Sequence, residues 1–143
     1  MHTAIDSHTR LAFSEVLPNE QGSTAGAFWQ RAHRWFAGLG IDVETVQTDN
    51  GACYKSLVFR DAVVGTGATH RRLPPRRPAW NGKVERFNRT LVDEWAYVRV
   101  YRTETARTNA LARWLHLYNH HRHHTAIGGP PINRINNLDG QHN

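Results

Sequence analysis

Two carboxylates and the elements that carry them constrain this chain most. Asp49 ends an alternating run in which Val43, Thr45 and Gln47 oppose Glu44, Val46 and Thr48. That is the period of a short strand, and Asn50-Gly51 after it is a turn signal. Glu85 follows Asn81-Gly82 and opens a segment whose apolar residues Val84, Phe87, Leu91, Trp95 and Val98 recur at helical spacing. One acid therefore stands at a strand end and the other in the first turn of a helix, with 35 residues between them.

The chain around these acids reads as alternating strands and helices. His2 to Ile5 and Leu11 to Val16 are strand candidates joined by a polar loop, Asp6-Ser7-His8-Thr9-Arg10, which predicts a hairpin. After the loop Pro18 to Gly22, Ser23 or Thr24 is placed to cap a helix with an apolar stripe of Ala25, Phe28, Trp29, Ala32, Trp35, Phe36 and Leu39. Gly38 and Gly40 end it. The strand to Asp49 follows, so this helix joins two strands in the manner of a parallel crossover. A shorter helix is expected from Lys55 to Val64, with Leu57, Val58, Ala62 and Val63 inward, then a strand from Ala68 to Leu73. The prolines of Pro74 to Trp80 exclude regular structure there, making it a loop that carries Arg charge into the helix of Glu85. Thr103-Glu104 starts a last helix with Leu111, Trp114, Leu115 and Tyr118 on one side. Gly128-Gly129-Pro130-Pro131 stops any helix. The expected organisation is one α/β domain over residues 1–127 and a poorly ordered tail over 128–143.

At 143 residues with 39% apolar side chains, the chain suits one globular domain. No apolar run approaches the roughly 18 residues of a membrane span, and the first residues lack a signal-peptide pattern, so a cytoplasmic protein without membrane contact is expected. A lone Cys53 builds neither an internal disulfide nor a cysteine zinc cluster, and its ordinary role is that of a half-buried small side chain. The net charge of +6 is carried almost wholly by Arg, since Lys55 and Lys83 are the only lysines. Guanidinium groups bind phosphate bidentately, which points to nucleic acid.

The phrases Thr48-Asp49-Asn50-Gly51, Gly82-Lys83-Val84-Glu85-Arg86-Phe87-Asn88 and Tyr118-Asn119-His120-His121-Arg122 give the chain its family likeness. From about Ile5 to Asn137 it resembles integrase-core transposases and retroviral integrases, most closely those of bacterial insertion sequences. The resemblance implies a ribonuclease-H-like three-layer α/β fold, a mixed sheet flanked by helices. It also implies metal-dependent DNA cleavage and strand transfer, with Asp49 and Glu85 as the second and third acids of an Asp-Asp-Glu triad that holds Mg2+ or Mn2+. The implied partners are DNA, as transposon ends and target, and further copies of the chain. In such proteins the first Asp stands on a strand preceding the one matched by His2 to Ile5, flanked by that strand and by the one matched by Val43 to Thr48. Here that strand is expected to be missing, as in a core truncated at its N-terminus. Asp6 aligns with the hairpin and is not taken as its replacement. Relatives of this type tend to carry Thr-Asn-Gly where this chain has Trp80-Asn81-Gly82, so the loop geometry is expected to differ.

Phosphoryl transfer needs an attacking and a leaving oxygen stabilised together, which two Mg2+ about 3.5–4 Å apart achieve when carboxylates hold them. Taken singly, an Asp in a turn or a Glu in a helix's first turn is more often a local cap; spacing and context favour the metal role. Around Glu85, Lys83, Arg86 and Arg89 are candidate phosphate contacts and Asn88 a candidate donor near the scissile strand, although an Arg beside a Glu is often only a solvated charge. Arg71, Arg72, Arg76 and Arg77 form the densest basic patch and the leading candidate for DNA-backbone contact. His116, His120 and His124 have the spacing of helical metal ligands, with His121 and His123 nearby. No carboxylate or Cys pattern completes a zinc site, and imidazoles at a helix C-terminus suit the dipole and phosphates. Two rival readings are a catalytically inactive DNA-binding protein and another nuclease on the same fold.

Overall fold

The computed structural model of the chain describes residues 1–73, 82–96 and 101–135. In order come β1 (His2–Ile5), β2 (Ala12–Glu15), α1 (Gly22–Gly38), β3 (Thr45–Thr48), α2 (Ala52–Lys55), α3 (Leu57–Gly65) and β4 (Thr69–Arg72). Then follow α4 (Gly82–Leu91), a π-helical turn Val92–Ala96, α5 (Glu104–His120) and a 3-10 turn Thr125–Ile127. Arg76, Arg77 and the Pro74 to Trp80 loop lie outside the described residues, as do Val98 and residues 136–143.

β1 pairs with β2, and β3 pairs in parallel with β4, Thr45 opposite Thr69 through Thr48 opposite Arg72. Each sheet has two strands, and no strand joins them among the described residues. The parallel crossover therefore runs through α2 and α3 from β3 to β4, whereas the expectation placed one through α1. The chain divides into two compact units, Met1–Ala4 with Glu15–Gly82, and Ile5–Ser14 with Lys83–Asn143.

In the first unit α1 buries Ala25, Phe28, Trp29, Ala32 and Phe36, the expected stripe, while Trp35 and Leu39 are only half-buried. Its cap is Gln21 rather than Ser23 or Thr24. Asn19 explains this, because its Oδ1 accepts from both Gln21 N and Thr24 Oγ1 and turns the chain two residues before the serine. Glycine permits the close approach of α1 to α3, since a Cβ on Gly26 would lie 3.2 Å from the Ala62 Cβ. On α3, Phe59 and Val63 face in, whereas Leu57 and Val58, expected inward, are 64% and 55% exposed. Ser56 caps the helix by accepting from Phe59 N, and positions 59 and 63, four residues apart, share one face. Gly67, at φ +85, provides the left-handed residue before β4.

In the second unit the loop between β1 and β2 is closed by Asp6, whose carboxylate accepts from Thr9 N at 2.8 Å and Thr9 Oγ1 at 2.6 Å. Phe87, Leu91 and Trp95, one face of α4 and its π-helical turn, are almost fully buried. Phe87 packs edge-on to Tyr118 of α5 at 4.9 Å, and Trp114 stacks on Tyr118 at 5.3 Å. Thr103 caps α5 by accepting from Ala106 N, as expected. Gly128 ends the 3-10 turn, but residues 133–135 are helical again, and Gly129 to Ile135 is no loose tail. Gly129 bridges to His124, Pro131 is fully buried, and Ile132 N donates to the Asn119 carbonyl at 2.8 Å. Two prolines that exclude a helix also stiffen a turn, and an apolar ring finds cover there.

Candidate active site

Asp49 and Glu85 lie in different compact units, Asp49 in the first and Glu85 in the second. Asp49 follows β3 directly, at the strand end that the alternation predicts, and is exposed. Its Oδ1 accepts from Gly51 N at 2.7 Å, an Asx turn that swings the chain into α2. This is the only hydrogen bond of the carboxylate among the described residues, so Oδ2 is open. Behind it Thr48 is buried, its hydroxyl donating to the Asp49 carbonyl at 3.0 Å and lying 2.8 Å from His70 Nε2. Asn50 Nδ2 donates to the Leu73 carbonyl at 2.9 Å, tying the turn to the end of β4.

Glu85 stands in the first turn of α4, exposed, where the helix dipole favours a negative charge. It makes no hydrogen bond or ion pair among the described residues. Lys83, two residues earlier, does not reach outward alone: its Nζ donates to Ser7 Oγ at 2.7 Å and to the Ser7 carbonyl at 3.1 Å, anchoring the start of α4 to the hairpin loop. Burial and the nearby Arg10 hold its pKa below the usual lysine value. Arg86, Asn88 and Arg89 are exposed on α4, and Arg71 and Arg72 are exposed on β4. Asp6 is engaged with Thr9 in the hairpin loop, a structural task.

Carboxylate oxygens are the hard donors that Mg2+ and Mn2+ take, and Asp49 and Glu85, each taken singly within its own unit, are of that donor type. Among the described residues no group of three or more His, Cys, Asp or Glu side chains is placed to hold a metal ion. The histidine series breaks at the end of α5. His116 and His120 stack at 4.5 Å, while His124 packs against Tyr118 at 4.6 Å. Among the described residues no helix is long and apolar enough to cross a membrane.

Sequence reasoning passed over Thr48, Tyr54 and His70 around Asp49, and Asn119 in the second unit. Thr48 and Asn119 sit inside the motif words and were legible as motif members only; Tyr54 and His70 carry no local signal.

Comparison with known proteins agrees with this picture. The integrase core domain family matches residues 1–78, which include Asp49, and a second integrase core domain family matches residues 66–131, which include Glu85. The ORF3 protein of Spiroplasma virus SpV1-C74, described as an integrase, is 26% identical over 148 residues, covering 94% of this chain. The chain spans 41% of that relative's length. Among solved structures, the catalytic core domain of BIV integrase superposes with a TM-score of 0.75 at 23% identity, covering 98% of this chain and 86% of that one. A chain of the simian T-cell lymphotropic virus intasome in complex with PP2A regulatory subunit B56 gamma gives a TM-score of 0.69 at 24% identity over 89% of this chain and 44% of its own. The fold is thus the ribonuclease-H-like α/β fold of retroviral integrase catalytic cores. Since the first match takes in residues 1–78 of 143, the chain belongs to the integrase core domain family.

Proposed function

We propose that the chain is catalytic-core material of a DNA transposase or integrase of a mobile element, acting on DNA phosphodiesters with Mg2+ or Mn2+. The observation that carries this reading is the pair of exposed carboxylates, Asp49 with one oxygen held in its turn and Glu85, each at the element end where an integrase core match covers it. Asp49 and Glu85 would hold the divalent ion, with substrate phosphate and water completing a shell that Mg2+ rarely takes wholly from protein. When bound, the ion activates an attacking hydroxyl and offsets charge on the leaving oxygen. The chain's own residues position the DNA. Arg71, Arg72, Arg76 and Arg77 grip backbone phosphates, Arg86 and Arg89 extend that grip along α4, and Asn88 donates to the strand being cut. Lys83 serves this by fixing the start of α4, which sets the direction of Glu85. Assembly with further copies of the chain brings two DNA ends and a target together.

Mn2+ titration of the chain with a short duplex carrying a free 3′ end tests the reading. Asp49→Asn and Glu85→Gln should each weaken Mn2+ binding by about tenfold or more, since each removes one charged ligand. Joining of the duplex should be slight and strictly metal-dependent. Metal affinity that ignores both substitutions, with DNA binding intact, would leave a DNA-binding protein and end the metal reading.

A further inference from the structure

The turn carrying Asp49 is held from two sides within the first unit. On its inner side the Thr48 hydroxyl donates to the Asp49 carbonyl at 3.0 Å, and His70 Nε2 lies 2.8 Å from that hydroxyl. A hydroxyl has one proton. With that proton on the Asp49 carbonyl, the Thr48 oxygen receives from His70 Nε2–H, and the network assigns the tautomer. On its outer side the Tyr54 ring lies against Gly51: a Cβ there would sit 3.4 Å from the ring and 3.0 Å from Asp49 Oδ1. Phe59 links the two sides, edge-on to Tyr54 at 5.1 Å and to His70 at 5.0 Å.

We propose that His70 is a positioning residue for the Asp49 carboxylate, acting through the Thr48 hydroxyl. The inference rests on the reading of Asp49 as a metal ligand. The Asp49 carbonyl belongs to the peptide leading into Asn50 and Gly51, and the Asp49 side chain is itself tied to Gly51 N at 2.7 Å. Fixing that peptide plane fixes where the Asx turn presents Oδ2. Without the Nε2–H, the Thr48 hydroxyl is free to rotate, the Asp49 carbonyl loses its only side-chain donor among the described residues, and the exposed turn gains freedom. Burial and the neighbouring Arg72 hold the His70 pKa below its usual value.

Two substitutions separate positioning from packing. His70→Phe keeps a ring against Phe59 and removes the nitrogen; His70→Gln removes the ring and keeps an N–H at a similar reach. In the 15N-labelled 143-residue chain, the Gly51 amide resonance reports the Asp49 carboxylate directly, and its broadening by Mn2+ reports the ion. His70→Phe should move the Gly51 amide toward its random-coil shift and raise the Mn2+ concentration for half-broadening about tenfold, the scale of an outer-shell partner. His70→Gln should keep both close to the starting protein. Thr48→Val, equal in size and without the hydroxyl, should reproduce His70→Phe and decides the matter if the latter does not fold. A Gly51 amide unmoved by His70→Phe or Thr48→Val, or moved as far by His70→Gln, would overturn the proposal. Asp49→Asn tells the two readings apart. Broadening that survives it removes Asp49 as a ligand, while the Gly51 shift still decides whether His70 positions the turn.

Discussion

Asn119 pairs with Ala12 as a neighbouring strand would: its Oδ1 accepts from Ala12 N and its Nδ2 donates to the Ala12 carbonyl, each at 2.9 Å. Both residues are buried, at 2% and 1% exposure, so no solvent can replace either bond. Asn119→Ala would leave a backbone donor and acceptor unsatisfied. The expected loss is about 2–4 kcal/mol, one desolvation penalty per orphaned group. Urea unfolding of the two proteins at neutral pH checks it; a loss under about 1 kcal/mol would mean that Ala12 finds other partners.

Gly22 is required by its neighbour. A Cβ on Gly22 would stand 2.2 Å from Ser56 Oγ and 2.7 Å from Ser56 Cβ, so Gly22→Ala must expel the residue that caps α3. Overpacking of this kind costs about 1–3 kcal/mol, and losing the cap alone about 1 kcal/mol. The two effects share one cause. A double-mutant cycle of Gly22→Ala with Ser56→Gly should therefore show coupling of about 1 kcal/mol, the double variant being more stable than the sum predicts. Additive costs would place the strain elsewhere.

The elements that were legible are those with an unambiguous period. The α1 stripe from Ala25 to Phe36, Asp49 after an alternating strand and Glu85 in a first turn all follow from spacing alone. The α3 face was not legible, because Leu57, Val58, Val63 and Val64 offer apolar residues on every side of nine positions and the choice fell to the close packing on α1 at Gly26. Asn119 and Ala12 are 107 residues apart, and His70 and Thr48 are 22 apart. No local pattern encodes such a pair, since only the fold brings the partners together. The α1 cap went to Gln21 because Asn19 competes for the chain with a side chain that the Ser23 and Thr24 pattern does not weigh.

Tyr54 makes stability fall at alkaline pH. Burial above all, then the charges of Cys53, Asp49 and Glu20, push its phenol from 10.0 up to about 12. The folded chain thus keeps a proton that the unfolded chain releases, so this contribution is complete below pH 10 and is lost as pH rises toward about 12. Tyr118 and Cys53 shift in the same direction. Comparison with Tyr54→Phe isolates Tyr54, because Phe keeps the ring against Phe59 and has nothing to ionise. The urea midpoint of the starting protein should fall more steeply between pH 10 and 11.5 than that of the variant. Parallel curves would show that the phenol ionises as freely in the folded protein.

Salt dependence decides which arginines meet DNA. Each phosphate neutralised on duplex DNA contributes about 0.9 to the slope of log affinity against log salt. If Arg71, Arg72, Arg76 and Arg77 each bind one phosphate, replacing all four with Ala should lower the slope by roughly 3–4. Arg86→Ala with Arg89→Ala, both exposed on α4, should lower it by about 2. Arg31 supplies the control. Its Nε already donates to both oxygens of Glu15, at 2.9 and 3.1 Å, so its charge is largely matched within the protein. Arg31→Ala removes one positive charge, the same change in net charge as any single Arg in the patch, yet should leave the slope unchanged. Fluorescence anisotropy of a labelled duplex from about 50 to 200 mM salt spans the range where several phosphate contacts change affinity by orders of magnitude. If net charge alone governed binding, each Arg→Ala would act alike, Arg31 included. A slope that ignores the four patch arginines but responds to Arg86 and Arg89 would instead place the interface along α4, beside Glu85.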